Sequence, residues 1–334
     1  MPNLNDLTAL ALPFGQRLHA DETDHRLTLS LDDQALIDLR LSREPDLHLH
    51  VIERSGNHAL WAACYWLLAR DPACQRLTWH LEEAPREALL SGLLVSTDVA
   101  GQYRCERTLF WQLPQPWLAA PFSGSYPQQM IFSADKRHPL RPGKPQGEVY
   151  RRFDARLGAR VSLRTLDIEQ DLARFNRWQN NPRVASFWQE QGSLEQHRDY
   201  LNKQAADPHT LTLIGCFDDQ PFAYFEAYWA KEDRIAPFYD ADDYDRGIHM
   251  LVGEENHRGP HKVASWLSAL AHYLFLDEPR TQRVVAEPRA DNEKMIGYMQ
   301  GQGFYREKEF DFPHKRAALV VLGRERFFDR CGLV

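Results

Sequence analysis

The stretch RGIHMLVGEENHRGPHK, residues 246–262, decides the fold. Its first half contains IHMLVG, an apolar run typical of a buried strand that is interrupted by His249. Its second half, HRGPHK, is typical of a helix start, because Gly259 permits close backbone approach and Pro260 suits the first helical position. Unpaired N–H groups there, with basic side chains beside them, favour an anion such as a phosphate. An ordinary helix start with basic residues for solubility is the alternative interpretation of this turn alone.

Strands and helices alternate on both sides of this stretch. Hydrophobic periodicity predicts a strand near 159–163, helices over 167–181 and 193–206, a hairpin over 211–229 with its turn at 218–220, a helix over 260–276, a strand over 283–288, a helix over 292–302 and strands near 304–310 and 318–322. This pattern predicts an α/β fold of the α+β type, with a mixed, mostly antiparallel sheet flanked by helices.

The N-terminal part repeats this design. Shifted by 207 residues, DPACQRLTWH from Asp71 lies over EPRTQRVVAE from Glu278. A stretch dense in proline and glycine, 121–147, predicts a linker between an N-terminal domain, 1–120, and a C-terminal domain, 148–334. The first copy has ERSGNHA where the second has NHRGPHK, so it lacks a comparable anion-binding turn. We predict a degenerate copy kept for packing or dimerisation, with a second active site as the alternative.

Composition indicates which partners to expect. The 334 residues carry a net charge of -7 without a dense Lys/Arg block, which gives little support to nucleic-acid or membrane binding and favours a small-molecule substrate. The five cysteines are widely spaced, and no leader or long apolar span is visible, so we expect reduced thiols in a cytoplasmic protein. His48 and His50 share one strand face but lack a third nearby ligand, so no metal is predicted.

The order of elements, the turn and the segment from Asn292 to Phe304 resemble the GNAT superfamily of acyl-CoA-dependent acyltransferases. In that superfamily such a turn binds the CoA pyrophosphate. The usual turn is Gln/Arg-x-x-Gly-x-Gly/Ala, whereas this chain keeps Gly259 but has Asn256 at the first position and His261 at the last. The resemblance implies a GNAT fold, with the N-terminal part as a degenerate GNAT-like copy.

A narrower resemblance covers about residues 140–315. The segments WQNNPRVASFW, DRGIHMLVGE and LDEPRTQRVVAEPRADN are similar to siderophore-biosynthesis acyltransferases of the aerobactin type, which acylate an N-hydroxylated amine to form a hydroxamate. The resemblance implies transfer of an acetyl group from acetyl-CoA to N6-hydroxylysine, a reaction that needs no metal. A homodimer is one expected assembly. Two alternatives stay open: succinyl-CoA with hydroxyputrescine or hydroxycadaverine, and a catalytically silent acyl-CoA-binding scaffold.

The resemblance also implies site residues. His249 is the expected base and Glu287 the carboxylate that orients it. The expected cofactor-binding residues are Met250, Leu251, Val252, Arg258, Gly259, Pro260, His261, Lys262 and Asn292. The expected substrate-binding residues are Asn181, Arg183, Phe187, Trp188 and Glu226.

Several of these residues have a second interpretation. Arg183 would hold an acceptor carboxylate or form a surface salt bridge, and Glu226 would meet an α-ammonium or simply be a polar residue on a solvated strand face. Asp291 is predicted to cap the helix that begins near 292. Many superfamily members have a tyrosine at the position of Met299, where it protonates the leaving thiolate. In this chain the neighbouring Tyr298 is turned about 100° away from that position on the helix, so we assign it no acid role.

Overall fold

The computed structural model describes residues 7–13, 15–43, 46–56, 58–120, 126–133, 135–330 and 333. The chain divides into two compact units, which comprise 1–116 with 152–159 and 328–334, and 117–151 with 160–327. The predicted linker contains a short antiparallel hairpin, and the boundaries at 120 and 147 stay predictions. Cys64, Cys74, Cys105 and Cys216 are free thiols, whereas Cys331 lies outside the described residues. No helix among the described residues is both long and apolar enough to span a membrane.

The first unit is built on an eight-stranded sheet. Its elements are β1 (Ala9–Ala11), β2 (Arg17–Thr23), β3 (Arg26–Leu31), β4 (Gln34–Arg43), β5 (Leu47–Arg54), α1 (Ala59–Arg70), β6 (Arg76–His80), α2 (Arg86–Ser91), β7 (Val95–Ser96), β8 (Gln102–Glu106) and α3 (Arg107–Phe110). The strand order is β1-β2-β3-β4-β5-β6-β8-β7. Strands β5 and β6, joined through α1, are parallel, and the other neighbours are antiparallel.

The rest of the chain forms the hairpin and a second eight-stranded sheet. Its elements are β9 (Met130–Ser133), β10 (Lys136–Pro139), β11 (Glu148–Asp154), β12 (Ala159–Thr165), α4 (Ile168–Gln179), α5 (Pro182–Trp188), α6 (Leu194–Ala206), β13 (Thr210–Phe217), β14 (Gln220–Trp229), β15 (Arg246–Val252), α7 (Pro260–Asp277), β16 (Arg283–Ala286), α8 (Glu293–Gly301), β17 (Tyr305–Phe312), β18 (Lys315–Gly323) and α9 (Arg324–Arg330). The strand order is β11-β12-β13-β14-β15-β16-β18-β17. It reproduces the first sheet strand for strand, including one parallel pair, β15 and β16, joined through a helix.

Local sequence explains where these elements begin and turn. Asp218 and Asp219 both adopt positive φ, 46° and 63°, as the tight turn between β13 and β14 requires. Asp167 caps α4 by accepting from two main-chain N–H groups, and Ser193 forms a capping box with Gln196 at the start of α6. The predicted fold class is confirmed, including the degenerate N-terminal copy.

One irregularity in the second sheet positions the site. Strands β15 and β16 pair at Arg246 with Val284 and at Gly247 with Val285, and no ladder pair joins them beyond that point in the part of the chain described. Gly247 has no side chain because the Tyr228 ring occupies that space: an added Cβ would lie 1.9 Å from its Cε2 atom. The two strands therefore separate just before His249.

Candidate active site

A cavity of about 550 Å³ lies beside the separated strands. Seven of the nine predicted cofactor-binding residues line it: Met250, Leu251, Val252, Arg258, Gly259, Pro260 and Asn292. Of the predicted substrate-binding residues, Arg183, Phe187 and Trp188 also line it. Tyr298 faces the same cavity, whereas Met299 is buried. The sequence thus predicted most of the residues that line this cavity. It assigned three of them, Arg183, Phe187 and Trp188, to the substrate rather than to the cofactor.

The turn before α7 has the backbone shape that the sequence predicts. Gly259 adopts a φ of 121°, and an added Cβ would lie 3.1 Å from the His261 ring. Pro260 is the first residue of α7, whose opening N–H groups have no carbonyl one turn earlier. The Lys262 ammonium bends back and donates to the main-chain oxygen of Asn256 at 2.8 Å, so it braces the turn.

Arg183 belongs to the cavity wall rather than to the surface. Its Nη2 donates to the carbonyls of Val252 at 2.9 Å and Gly253 at 3.3 Å. Burial, followed by the charge of Arg258, lowers the pKa of Arg183. The alternative of a surface salt bridge is wrong, because this guanidinium points inward and pairs with no carboxylate among the described residues.

Two residues predicted to bind ligands act as helix caps, and one predicted cap does not. Asn181 caps α5 by accepting from the Arg183 N–H at 3.0 Å, and it does not line the cavity. Asn292, which does, caps α8 by accepting from the Met295 N–H at 3.3 Å. The prediction that Asp291 is the cap was wrong, because its carboxylate forms a two-bond ion pair with Arg289, at 2.6 and 3.1 Å.

His249 lies between two carboxylates. It sits directly opposite Glu226 in the β14–β15 ladder, and its Nδ1 is 2.7 Å from Glu226 Oε2. Its Nε2 is 2.7 Å from Oε1 of Glu287, which follows the end of β16. The His249 side chain is 21% exposed, whereas both carboxylates are almost wholly buried. The three groups form one continuous hydrogen-bonded chain across the point where the strands separate.

The surroundings of Glu226 differ more from the sequence-based prediction than those of any other site residue discussed above. It is 4% exposed, because α6 covers this part of β14: Tyr200 of α6 donates to its Oε1, as does Tyr224 at 2.8 Å. The idea of a polar residue on a solvated strand face was therefore wrong. Burial alone would raise the pKa of Glu226, but the hydrogen bond from His249 and the two tyrosines hold it below its ordinary value.

The charge of His249 follows from its partners. A carboxylate oxygen accepts hydrogen bonds, so a ring nitrogen that faces one must donate, and both nitrogens of His249 face one. Burial opposes the charge, but Glu287 and Glu226 outweigh it and raise the pKa of His249 to about 10. The pKa of Glu287 is correspondingly held far below its ordinary value. At neutral pH the histidine is an imidazolium, whereas the base role predicted from sequence needs a neutral ring.

A second set of groups supports Glu287. The Tyr228 hydroxyl donates to Glu287 Oε2 at 2.7 Å, and the Lys315 ammonium donates to its main-chain oxygen at 2.7 Å. Sequence reasoning missed both residues and the tyrosines on Glu226. A signal was present: Tyr224, Glu226 and Tyr228 alternate along β14 and so share one face of the strand.

The first unit carries different chemistry at the corresponding place. There the parallel ladder of β5 and β6 continues through two further pairs, Leu49 with Trp79 and His50 with His80. These two strands therefore remain hydrogen-bonded where β15 and β16 separate. In the alignment of the two copies, His80 lies over Glu287, and the ladder register puts His50 at the place of His249. The strand partner of His50 is Arg40, where the second unit has Glu226. The carboxylates have been lost, which fits a degenerate copy.

A third histidine, His80, lies beside His48 and His50 in the structure, although the sequence did not predict this proximity. The His48 and His80 rings are joined by a 2.9 Å contact between Nδ1 and Nε2, and the His50 ring stacks on His80. No group of three or more metal-ligating side chains suited to a metal ion occurs in the described ranges.

Comparison with known proteins defines the class. Residues 167–312 match the family model described as "Acetyltransferase (GNAT) domain". A crystal structure of an uncharacterized protein from Bacillus halodurans has a TM-score of 0.53 and 29% identity, and the match covers 56% of this chain and 95% of that one. The chain therefore contains a GNAT acetyltransferase domain.

Curated relatives narrow the family. The N(6)-hydroxylysine O-acetyltransferase of Escherichia coli is 48% identical over 253 residues, which cover 75% of this chain and 78% of the relative. The N(5)-hydroxyornithine:cis-anhydromevalonyl coenzyme A-N(5)-transacylase of Beauveria bassiana is 42% identical over 273 residues, which cover 80% of this chain and 57% of that relative. The chain belongs to the family that contains the Escherichia coli acetyltransferase.

Proposed function

We propose that the enzyme transfers an acetyl group from acetyl-CoA to the hydroxylated nitrogen of N6-hydroxylysine, and that the resulting hydroxamate serves siderophore biosynthesis. Both curated relatives described above carry an N-hydroxylated amino acid in their names, which supports this class of acceptor. The names differ in the acylated atom, oxygen in one and N(5) in the other. Nitrogen is our assignment, because the resemblance in sequence is to enzymes that make hydroxamates.

The observation that carries the proposal is the position of His249, with a carboxylate oxygen 2.7 Å from each ring nitrogen, which favours the imidazolium. An alkylammonium with a pKa near 10.4 is about one part in 10³ neutral at pH 7, so an enzyme for such an acceptor needs a base. An imidazolium bonded to Glu226 and Glu287 cannot take that proton. A hydroxylamine is far less basic because oxygen withdraws electrons, so most of it arrives neutral. The site therefore suits an N-hydroxylated acceptor better than an amine.

Acyl-CoA is proposed to lie along the cavity beside β15, between α7 and α8. Main-chain groups of Met250 to Val252 would meet the pantetheine arm, and the turn at Gly259 would meet the pyrophosphate. Arg183 and Arg258 would add positive charge on the same wall.

The proton movements follow from this arrangement. The nitrogen lone pair attacks the thioester carbon, a C–N bond forms, and the carbonyl oxygen becomes an oxyanion beside the His249 charge. The C–S bond then breaks, His249 gives its proton to the departing thiolate, and His249 recovers a proton from the acylated nitrogen. One proton thus passes from nitrogen to sulfur. The Nε2–H group leaves its hydrogen bond with Glu287 to make this transfer, while Glu226 holds the ring through Nδ1.

Steady-state kinetics with two acceptors test the proposal. Release of the CoA thiol is measured with N6-hydroxylysine and with lysine at equal acetyl-CoA, and His249→Ala supplies the background rate. We expect kcat/KM for the hydroxylated acceptor to be higher by about 10²-fold or more, because most of it is already nucleophilic. Comparable values would contradict the proposal and favour a general amine acetyltransferase.

A further inference from the structure

Three cationic side chains surround Glu287. Besides His249, Arg234 places Nη2 3.6 Å from Glu287 Oε1, and Lys315 places Nζ 3.8 Å from the same oxygen. Three cations therefore converge on one carboxylate, and the shortest contact belongs to His249. Arg234 lies in the loop between β14 and β15, and Lys315 is the first residue of β18.

These two cations keep unused capacity for binding an anion. Arg234 is half exposed and donates no hydrogen bond to any residue that the structure describes, although a guanidinium has five N–H donors. The Lys315 ammonium makes one hydrogen bond, to the main-chain oxygen of Glu287. The nearby Asp233 is already engaged, by His209 at 3.5 Å and by the Ile235 N–H at 3.1 Å. Both side chains therefore keep N–H groups that a further anion can engage.

An aromatic surface lies beneath both cations. The Arg234 guanidinium is 5.3 Å and the Lys315 ammonium 5.5 Å from the centre of the Phe312 ring. Phe312 in turn packs against Phe310 and Phe238. A short aliphatic chain that ends in a carboxylate matches this combination, because its methylenes contact the rings while its oxygens meet the cations.

We propose that Arg234 and Lys315 form the subsite that binds the α-carboxylate of the acceptor, an inference that rests on the proposed function. In extended N6-hydroxylysine the reacting nitrogen and the carboxylate carbon are roughly 7 Å apart, from ordinary bond lengths. With the nitrogen at His249, the carboxylate reaches the region of the Arg234 guanidinium, which is free to swing because it is half exposed. Neither cation lines the cavity assigned to acyl-CoA.

N-hydroxycadaverine provides the matched test, because it equals N6-hydroxylysine without the α-carboxylate. The quantity measured is the ratio of kcat/KM for hydroxylysine to that for hydroxycadaverine, with acetyl-CoA. We expect the wild-type enzyme to favour hydroxylysine and Arg234→Gln to reduce the ratio by roughly 10- to 100-fold, since a hydrogen bond between charged partners is lost. Arg234→Lys should restore part of the ratio. Arg316→Gln, an exposed change beside Lys315 whose guanidinium pairs with Glu309, serves as the control and should leave the ratio intact.

The outcomes separate the possible errors. A ratio near one in the wild type, or a ratio that Arg234→Gln leaves unchanged, overturns the subsite. A second arm replaces acetyl-CoA with succinyl-CoA: if Arg234→Gln abolishes a preference for the succinyl donor and spares the acceptor ratio, the cations serve the acyl chain and the assignment to the acceptor is overturned. Failure of both hydroxylated acceptors to form any hydroxamate counts against the proposed function instead. Thermal melting confirms that each variant is folded.

Discussion

Glu226→Gln is the change that tests the charged state of His249 most specifically. Glutamine keeps the size of the side chain and an oxygen that accepts from His249 Nδ1, but it removes one of the two negative charges beside the ring. Its amide NH₂ then faces the hydroxyls of Tyr200 and Tyr224, which can rotate and accept. Each hydroxyl hydrogen then loses its carboxylate acceptor, so the variant should also lose some stability.

The magnitude follows from the lost charge. A hydrogen bond to a charged partner contributes about 1.5–3 kcal/mol, and a neutral one contributes about 1 kcal/mol. The imidazolium therefore loses about 0.5–2 kcal/mol, which lowers the pKa of His249 by about one from its value of about 10. Since the protonated histidine is the active form in the proposed mechanism, activity is lost as the pH rises through this pKa. The variant should lose activity at a pH lower by about one.

The assay is the pH dependence of kcat, combined with NMR titration of the His249 ring. Tyr200→Phe is the matched control, because it removes a hydrogen bond to the same carboxylate but no charge, and its alkaline limb should not move to lower pH. If the alkaline limb of Glu226→Gln stays at the wild-type position, or if activity rises with pH through the His249 titration, the acid role of the imidazolium is refuted.

Four further changes test other parts of the site. His249→Ala should lower turnover by about 10²-fold and leave acyl-CoA affinity nearly unchanged, as measured by kinetics and calorimetry. Gly247→Ala should destabilise the fold by about 1–3 kcal/mol in urea titration, because its Cβ would meet the Tyr228 ring at 1.9 Å. Gly259→Ala should raise KM for acyl-CoA, because alanine rarely adopts a φ of 121°. The ion pairs of His249 should stabilise the fold most between about pH 4.5 and pH 6.5. They should stabilise it progressively less up to about pH 10, and less below pH 4.5 where the glutamates of the unfolded chain are protonated, as urea unfolding of the wild type and His249→Gln would show.

Each of these results has a contrary outcome. Unchanged turnover with weakened CoA binding would move His249 from catalysis to cofactor binding. Gly297→Ala, in α8 with nothing within 4 Å of its added Cβ, is the control for Gly247→Ala, and equal destabilisation by both would remove the steric explanation. An unaltered KM in Gly259→Ala would exclude the turn from cofactor binding. A stability difference between wild type and His249→Gln that does not change with pH would mean that the histidine is neutral when folded.

The sequence predicted the features that depend on neighbouring residues. The turn at Gly259 and Pro260 is local, because φ preferences and missing N–H groups act within a few residues. The repeat at a spacing of 207 residues was also visible, and the matching strand orders of the two sheets reflect it. These features determine the sheet, the cavity wall and the helix that begins beside it.

The features that the sequence did not predict depend on strand register and on burial by elements that are distant in sequence. Glu226 meets His249 because the two lie opposite each other in the β14–β15 ladder, 23 positions apart in sequence. It is buried because Tyr200 of α6 covers it, a contact that the strand sequence does not contain. Asp291 and Asn292 are equally good caps by residue type, and the ion pair with Arg289 decides between them.

The bond formed in the product is the most direct test of the central claim, that the acyl carbon goes to the hydroxylated nitrogen. The enzyme is supplied with acetyl-CoA labelled with ¹³C at the carbonyl and with N6-hydroxylysine labelled with ¹⁵N at the hydroxylated nitrogen, and the product is examined by NMR. A one-bond coupling between the carbonyl carbon and this nitrogen, in a product that binds ferric iron, is the predicted result. A labelled carbonyl without that coupling would be an O-acetyl ester, and it would contradict the account.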